Sequence, residues 1–227
     1  MLHLQPGGLP GRHGLVGVDL VYLHGFASGP EGAKGSRCRE WAGARNLPFH
    51  APDLNLPDFE HLTVTAQVEA VTALLRGLAE PAVVVGSSMG GLVGAAAALG
   101  GAPMARLILL APAFGFARRR LAGRRWAGYR RRGSMPTYHH ARGRWLTLGP
   151  DLLLDLPRWQ ADDRWQLPVP VVILHGRQDE AVPLAESEAF AARHPGTVLR
   201  VLEDDHGLLA PASLAALDAC LAEAFGY

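Results

Sequence analysis

Three polar residues that lie far apart in the chain sit in settings where their chemistry could combine. Ser88 falls within "VVVGSSMGGLVG" (83–94), where a run of valines stops at Gly86 and an alanine-rich stretch follows. Asp179 comes after "VVILHGRQ", and His206 after "VLRVLEDD". A serine hydroxyl is a weak nucleophile until a base takes its proton, and an imidazole serves as that base when a carboxylate fixes its tautomer and orientation. The trio therefore spells nucleophile, base and orienting acid for acyl transfer through a covalent intermediate. The run Gly86-Ser87-Ser88-Met89-Gly90 suits a tight strand-to-helix turn with the Ser88 hydroxyl projecting, its neighbours kept small because backbone packs on both sides. A tetrahedral intermediate also needs two donors for its oxyanion. The amide of Met89, directly after the serine, supplies one, and the amide of Phe26 in "HGFASG" (24–29) supplies the other.

Neighbouring residues compete for these roles. Glu180 adjoins Asp179, and Asp204 and Asp205 precede His206, so four carboxylates are candidates for one acid. His24 and His175, each in an "LHG" string, read as turn residues and not as second bases. Ser87 is the alternative nucleophile.

The elements that must hold these residues are strands alternating with helices. Strand patterns occur at 19–25, 49–54, 82–88, 106–112, 169–176 and 197–204, most of them apolar on both faces. Helical patterns occupy Ala33–Arg45, Thr63–Leu78, Leu92–Leu99, Leu184–Ala192 and Ala212–Ala224. That alternation predicts an α/β fold, an open and mainly parallel sheet of about six strands with helices on both faces. Ser88, Asp179 and His206 each follow a strand, at the edge where such a sheet gathers its site. Residues 113–166 break the alternation and read as an inserted cap within one domain of 19–227. Residues 1–18 read as a tail.

Composition narrows the function classes. Apolar stretches are interrupted well short of the roughly 18 residues that a membrane span needs. The opening "MLHLQPGGLPGRHGLVG" lacks the basic start and apolar block of a secretory signal, so a cytoplasmic protein is expected. Cys38 and Cys220 are too few and too distant to suggest a metal cluster or disulfide framework, and free thiols are expected. The net charge of +1 conceals an asymmetry, with twelve arginines against four aspartates between Ala113 and Gln166 and a balance of −7 elsewhere. Lys34 is the only lysine. "RRRLAGRRWAGYRRR" (118–132) admits a second class of function, a non-catalytic anion- or nucleic-acid-binding protein with Trp126 and Tyr129 stacking on bases. A solvated cap facing an acidic body is the favoured reading, with nucleic acid as a disfavoured partner. Phe26, Phe114, Phe116 and Trp145 could line a pocket or pack the cap.

With these residues in view, the chain resembles the α/β-hydrolase superfamily, and within it the small bacterial YqiA-type esterases. "YLHGFASGPEGAK" (22–34) is similar to that group's opening segment, and "VGSSMGG" (85–91) to its elbow. The likeness spans about 19–112 and 169 to the C-terminus, and leaves out 113–166. It favours Asp179 as the acid, since that residue follows "HGRQ" and precedes "VP", with Asp204 and Asp205 shaping the histidine loop. It implies hydrolysis of carboxylic esters of short acyl chains without metal or cofactor, with a small-molecule ester as partner. Thioesters and small peptides are the alternative substrates, and oligomeric state is open.

Overall fold

A computed structural model of the chain describes residues 18–122, 126–159 and 165–227. The expected tail, apart from Val18, lies outside these residues, as do Arg124 and Arg125 of the arginine-rich run. The chain begins with β1 (Leu20–Leu23), α1 (Ala33–Gly43), β2 (Phe49–His50), α2 (Val64–Arg76), β3 (Ala82–Ser87), α3 (Met89–Leu99) and β4 (Met104–Leu110). There follow α4 (Phe116–Ala122), α5 (Ala127–Arg132), β5 (Met135–His139), β6 (Arg144–Leu148) and α6 (Asp151–Asp155). It closes with β7 (Val171–Gly176), α7 (Leu184–Arg193), β8 (Val198–Leu202) and α8 (Pro211–Phe225).

Six of these strands form one parallel sheet in the order β2-β1-β3-β4-β7-β8. Its inner strands are apolar on both faces because helices cover both. Val21, Leu23, Val84, Leu107 and Leu109 join one core with residues of α2, α3 and α7, while Leu20, Tyr22, Val83, Val85, Ile108 and Leu110 join a second with residues of α1 and α8. Cys38 and Cys220 are free thiols buried in that second core. Local signals set the helix starts. The Thr63 side chain accepts a hydrogen bond from the Ala66 amide at the head of α2, and Pro211 occupies the first turn of α8, where its missing N–H costs nothing. Strand order reverses between β1 and β3, so the connections after them leave toward opposite faces and open a crevice at the carboxyl edge.

Two boundaries differ from the sequence expectation. The third helix begins at Met89, three residues before Leu92, because the residues after Ser88 are already helical and the turn is confined to the serine itself. The segment after β4 is not only helical: β5 and β6 make an antiparallel hairpin outside the main sheet. Among the described residues, no helix is long and apolar enough to cross a membrane.

Candidate active site

The turn after β3 explains its glycines. A Cβ on Gly86 would lie 2.6 Å from the carbonyl oxygen of Gly90, and one on Gly90 would lie 2.2 Å from that of Leu23. Neither position has room for a side chain. Between them Ser88 takes φ 53° and ψ −115°, a sparsely populated conformation for a non-glycine residue. Hydrogen bonds to the neighbouring strand end hold it there. Its amide donates to the Leu110 carbonyl (2.9 Å), and its own carbonyl accepts from the Ala113 amide (3.0 Å). Ala27, Ala111 and Leu208, also at positive φ, lie in the connections that follow β1, β4 and β8. Strained backbone is concentrated along the carboxyl edge.

The structure brings Ser88, His206 and Asp179 together. Ser88 Oγ lies 3.1 Å from His206 Nε2, and His206 Nδ1 donates to Asp179 Oδ2 across 2.7 Å. The Asp179 side chain is fully enclosed, and its other oxygen accepts from the amides of Ala181 (2.9 Å) and Val182 (2.7 Å). Burial alone would raise its pKa. Hydrogen bonds from His175, His206 and the Val182 amide outweigh that effect and hold the carboxyl well below the usual range. It is therefore ionised at neutral pH, as an orienting acid must be.

The rival carboxylates occupy other places. Glu180 is exposed, with no hydrogen bond or ion pair among the described residues. Asp204 accepts from the Asp205 amide (2.8 Å), the Ala210 amide (2.9 Å) and the Ser213 hydroxyl (2.6 Å), which ties the histidine loop to the head of α8. Asp205 accepts from the Gly207 amide (2.7 Å). Both shape the loop that carries His206. Ser87 ends β3 as a buried residue.

His24 and His175 hold structure together. His24 Nε2 accepts from the Leu54 amide (2.8 Å), which leaves Nδ1 to donate to the Gly25 carbonyl (2.9 Å). That tautomer is neutral, and burial keeps the pKa of the ring below its ordinary value. Because Nε2 is an acceptor, its 3.3 Å approach to Asp53 is a contact and not an ion pair. His175 is wholly buried: Nδ1 accepts from the Ser187 hydroxyl (2.7 Å) and Nε2 donates to the Val182 carbonyl (3.0 Å), 3.3 Å from Asp179 Oδ2. More than a turn residue, it braces the acid loop.

The loop carrying Phe26 lies beside the serine. A Cβ on Gly25 would stand 3.3 Å from Ser88 Cβ, so glycine gives this turn its close approach to the serine. Among the described residues, neither the Phe26 nor the Met89 amide donates to another protein group. Lys34 had no role in the sequence reading, although its being the sole lysine was a signal. Its Nζ donates to the Gly207 carbonyl (2.9 Å), one residue past His206. Burial brings its pKa down to about 8 against the pull of Asp179, Asp205 and Asp204. No group of three metal-ligating side chains occurs among the described residues.

In the arginine-rich segment Arg118, Arg130, Arg131 and Arg132 are exposed, but the aromatic residues among them are not. Trp126 is 6% and Tyr129 2% exposed, which removes both as stacking platforms for bases. Arg120 lies over the rings of Trp126 (3.8 Å) and Phe116 (4.8 Å), while Arg118 and Arg119 pair with the buried Glu186 of α7. Phe114 stacks on Phe190, and Phe26 lies between Phe59 and Phe116, each 5.8 Å away. Trp145, 67% exposed, meets the Tyr138 ring across the hairpin at 5.6 Å and belongs to no buried core among the described residues.

A parallel sheet in this order, with a serine on a strained turn after β3, an enclosed aspartate after β7 and a histidine after β8, defines the α/β-hydrolase fold. Within that class, the chain belongs to the uncharacterised protein family UPF0227, whose family model matches residues 19–210. No curated protein gave a significant sequence match. Solved structures of similar fold include the alpha/beta hydrolase domain-containing protein 10 from mouse, at 21% identity and a TM-score of 0.76 over 93% of this chain and 90% of that one. Est1E from Butyrivibrio proteoclasticus, also solved with ferulic acid bound, is 21% identical with a TM-score of 0.75 over 92% of this chain and 89% of its own. A monoacylglycerol lipase from Paleococcus ferrophilus is 16% identical with a TM-score of 0.69, over 92% and 96% of the two chains.

Proposed function

We propose that the protein is a serine hydrolase that cleaves carboxylic esters of small molecules through an acyl-enzyme on Ser88. His206 Nε2 takes the hydroxyl proton as Oγ attacks the ester carbonyl. The carbonyl oxygen becomes an oxyanion facing the Phe26 and Met89 amides, and its collapse expels the alcohol, which leaves with the proton from His206. Water then attacks the acyl-serine with His206 again as base, releasing the acid and restoring the serine. Asp179 holds the imidazole with Nδ1 protonated, so Nε2 is the free base toward serine. Residues 113–166 act as the cap on this site.

The observation that carries this reading is the continuous contact from Ser88 Oγ through His206 to Asp179, at 3.1 and 2.7 Å. The Phe26 and Met89 amides, which donate to no other protein group among the described residues, add to it. Esters are chosen over thioesters and amides because the motifs of the β1 and β3 turns resemble those of esterases, and because structural neighbours include a lipase and an enzyme solved with ferulic acid. The test is hydrolysis of p-nitrophenyl esters of increasing acyl length, with Ser88→Ala as control. Ester turnover should fall by about 10⁴-fold or more in that variant while the fold persists. Retention of most of the rate would sink the assignment.

A further inference from the structure

The loop that carries the Phe26 amide is held from a direction that the sheet does not supply. Its backbone is strained at Ala27, with φ 52°. The Ala27 carbonyl accepts from the His140 amide (2.8 Å), at the tip of the β5–β6 hairpin. The next carbonyl, that of Ser28, accepts from Asn55 Nδ2 (3.1 Å), and Asn55 Oδ1 lies 3.1 Å from His139 Nε2 at the end of β5. His139 Nδ1 faces the Arg142 amide (3.3 Å), which donates to it and leaves the proton on Nε2 for Asn55. At Gly29 the hairpin comes so close that a Cβ would stand 3.0 Å from that of Ala141. His139 is buried, with its ring edge-on to Phe59 at 4.9 Å, and Phe59 in turn packs on Phe26. Two successive carbonyls after Phe26 and the Phe26 ring are thus all fixed by the hairpin and by Asn55.

We propose that the β5–β6 hairpin is a buttress for the oxyanion loop, and that His139 and Asn55 are positioning residues that set the Phe26 amide for acyl transfer. This rests on the assignment of Ser88 and Phe26 above. A donor contributes most when it is fixed before charge develops, so a loosened loop weakens stabilisation of the tetrahedral state more than binding of the planar ester. Both acylation and deacylation pass through such a state, so kcat should fall with KM nearly constant.

The experiment compares wild type, Ser88→Ala, His139→Leu and His139→Gln, the last because a glutamine amide can still donate to Asn55. Three quantities are read: thermal midpoint, kcat and KM on one p-nitrophenyl ester, and Ki for a trifluoromethyl ketone, which forms a tetrahedral adduct on the serine. In His139→Leu, kcat should drop by about tenfold or more, less than the roughly 10²-fold cost of losing a donor outright, and the ketone Ki should rise by a like factor. KM should stay within about twofold, and His139→Gln should restore most of both losses. Unchanged kcat and Ki in folded His139→Leu, a change confined to KM, or no recovery in folded His139→Gln would each overturn the proposal. If His139→Leu does not fold, Asn55→Ser removes the same bridge from its other end and carries the same expectations. Activity retained by Ser88→Ala would fell the underlying reading. An inactive Ser88→Ala beside a fully active His139→Leu would fell only the buttress.

Discussion

Asp179, at the carboxyl edge of the sheet, and Glu186, beneath the arginine-rich segment, are both enclosed carboxylates, yet they are satisfied in different ways. Asp179 is held by two backbone amides and two imidazoles. Glu186 accepts from the Gly115 amide (2.7 Å) and meets the guanidinium groups of Arg119 and Arg118. The difference separates chemistry from anchoring. On the proposed mechanism, a permanent cation on Asp179 would compete with the imidazolium that forms on His206, whereas backbone amides and imidazole N–H groups satisfy the carboxylate without one. Glu186 faces no reacting group, and a direct ion pair serves to hold α4 on α7. A guanidinium fits that task because it is charged at every relevant pH and stacks on aromatic faces, as Arg120 does over Trp126.

The sharpest way to break the comparison is to alter each carboxylate in turn. Asp179→Asn leaves the shape nearly intact but favours the wrong imidazole tautomer, and should lower kcat by about 10⁴-fold. Glu180→Gln, on an exposed neighbour, should change kcat by less than about twofold. Similar losses in both variants, measured on one ester, would reassign the acid.

Glu186→Gln should act on stability and not on chemistry. Arg119 is partly exposed, so screening limits the pair to about 1 kcal/mol, which corresponds to a Tm lower by roughly 2 to 4 °C. The same logic governs salt. If the arginines dock the segment, added salt should change kcat/KM for a neutral and an anionic ester by the same factor. A salt effect confined to the anionic ester would mean that the arginines steer substrate.

Much of the carboxyl edge was legible in the sequence because each loop there follows a valine- and leucine-rich strand, and the position of a residue after such a strand places it on that edge. Ser88, Asp179 and His206 could be located this way with no knowledge of their contacts. His175, Lys34 and Asn55 could not, since their roles depend on side-chain reach across elements that sequence spacing does not encode. The packing within the insertion was hidden for a different reason. Arginines dominate its composition and suggest a solvated face, but Trp126, Tyr129 and Phe116 are buried in the same core as β1 and α3, with Arg120 over the rings of Trp126 and Phe116. The β5–β6 hairpin did leave a trace, the alternation of "MPTYH" and "RWLTL" about a glycine-bearing turn, which the surrounding arginines obscured.

Acid gives a smaller and more gradual contrast. Burial lowers the pKa of His24 and His139 below their ordinary value of 6.5, so the unfolded chain binds protons there that the folded chain refuses. Stability is then fully present above about pH 6.5 and falls as pH drops through that value, for His24 by at most about 1.4 kcal/mol per pH unit. Asp179, depressed below 3.8, adds its own loss only at still lower pH. Urea midpoints at pH 7.5, 6.0 and 5.0 should decrease in that order. A flat profile would mean that neither buried ring is held neutral.

The central claim is that Ser88 is a nucleophile activated by His206, and it can be read without knowing the natural substrate. A fluorophosphonate probe reacts with a serine only when its hydroxyl is deprotonated on demand and the phosphonyl oxygen has donors to meet it. Incubation of the folded protein with such a probe, followed by mass spectrometry of its peptides, should find one adduct, on Ser88. It should be absent in Ser88→Ala and slowed by orders of magnitude in His206→Gln. No adduct on the folded wild-type protein, or an adduct on Ser87, would contradict the account.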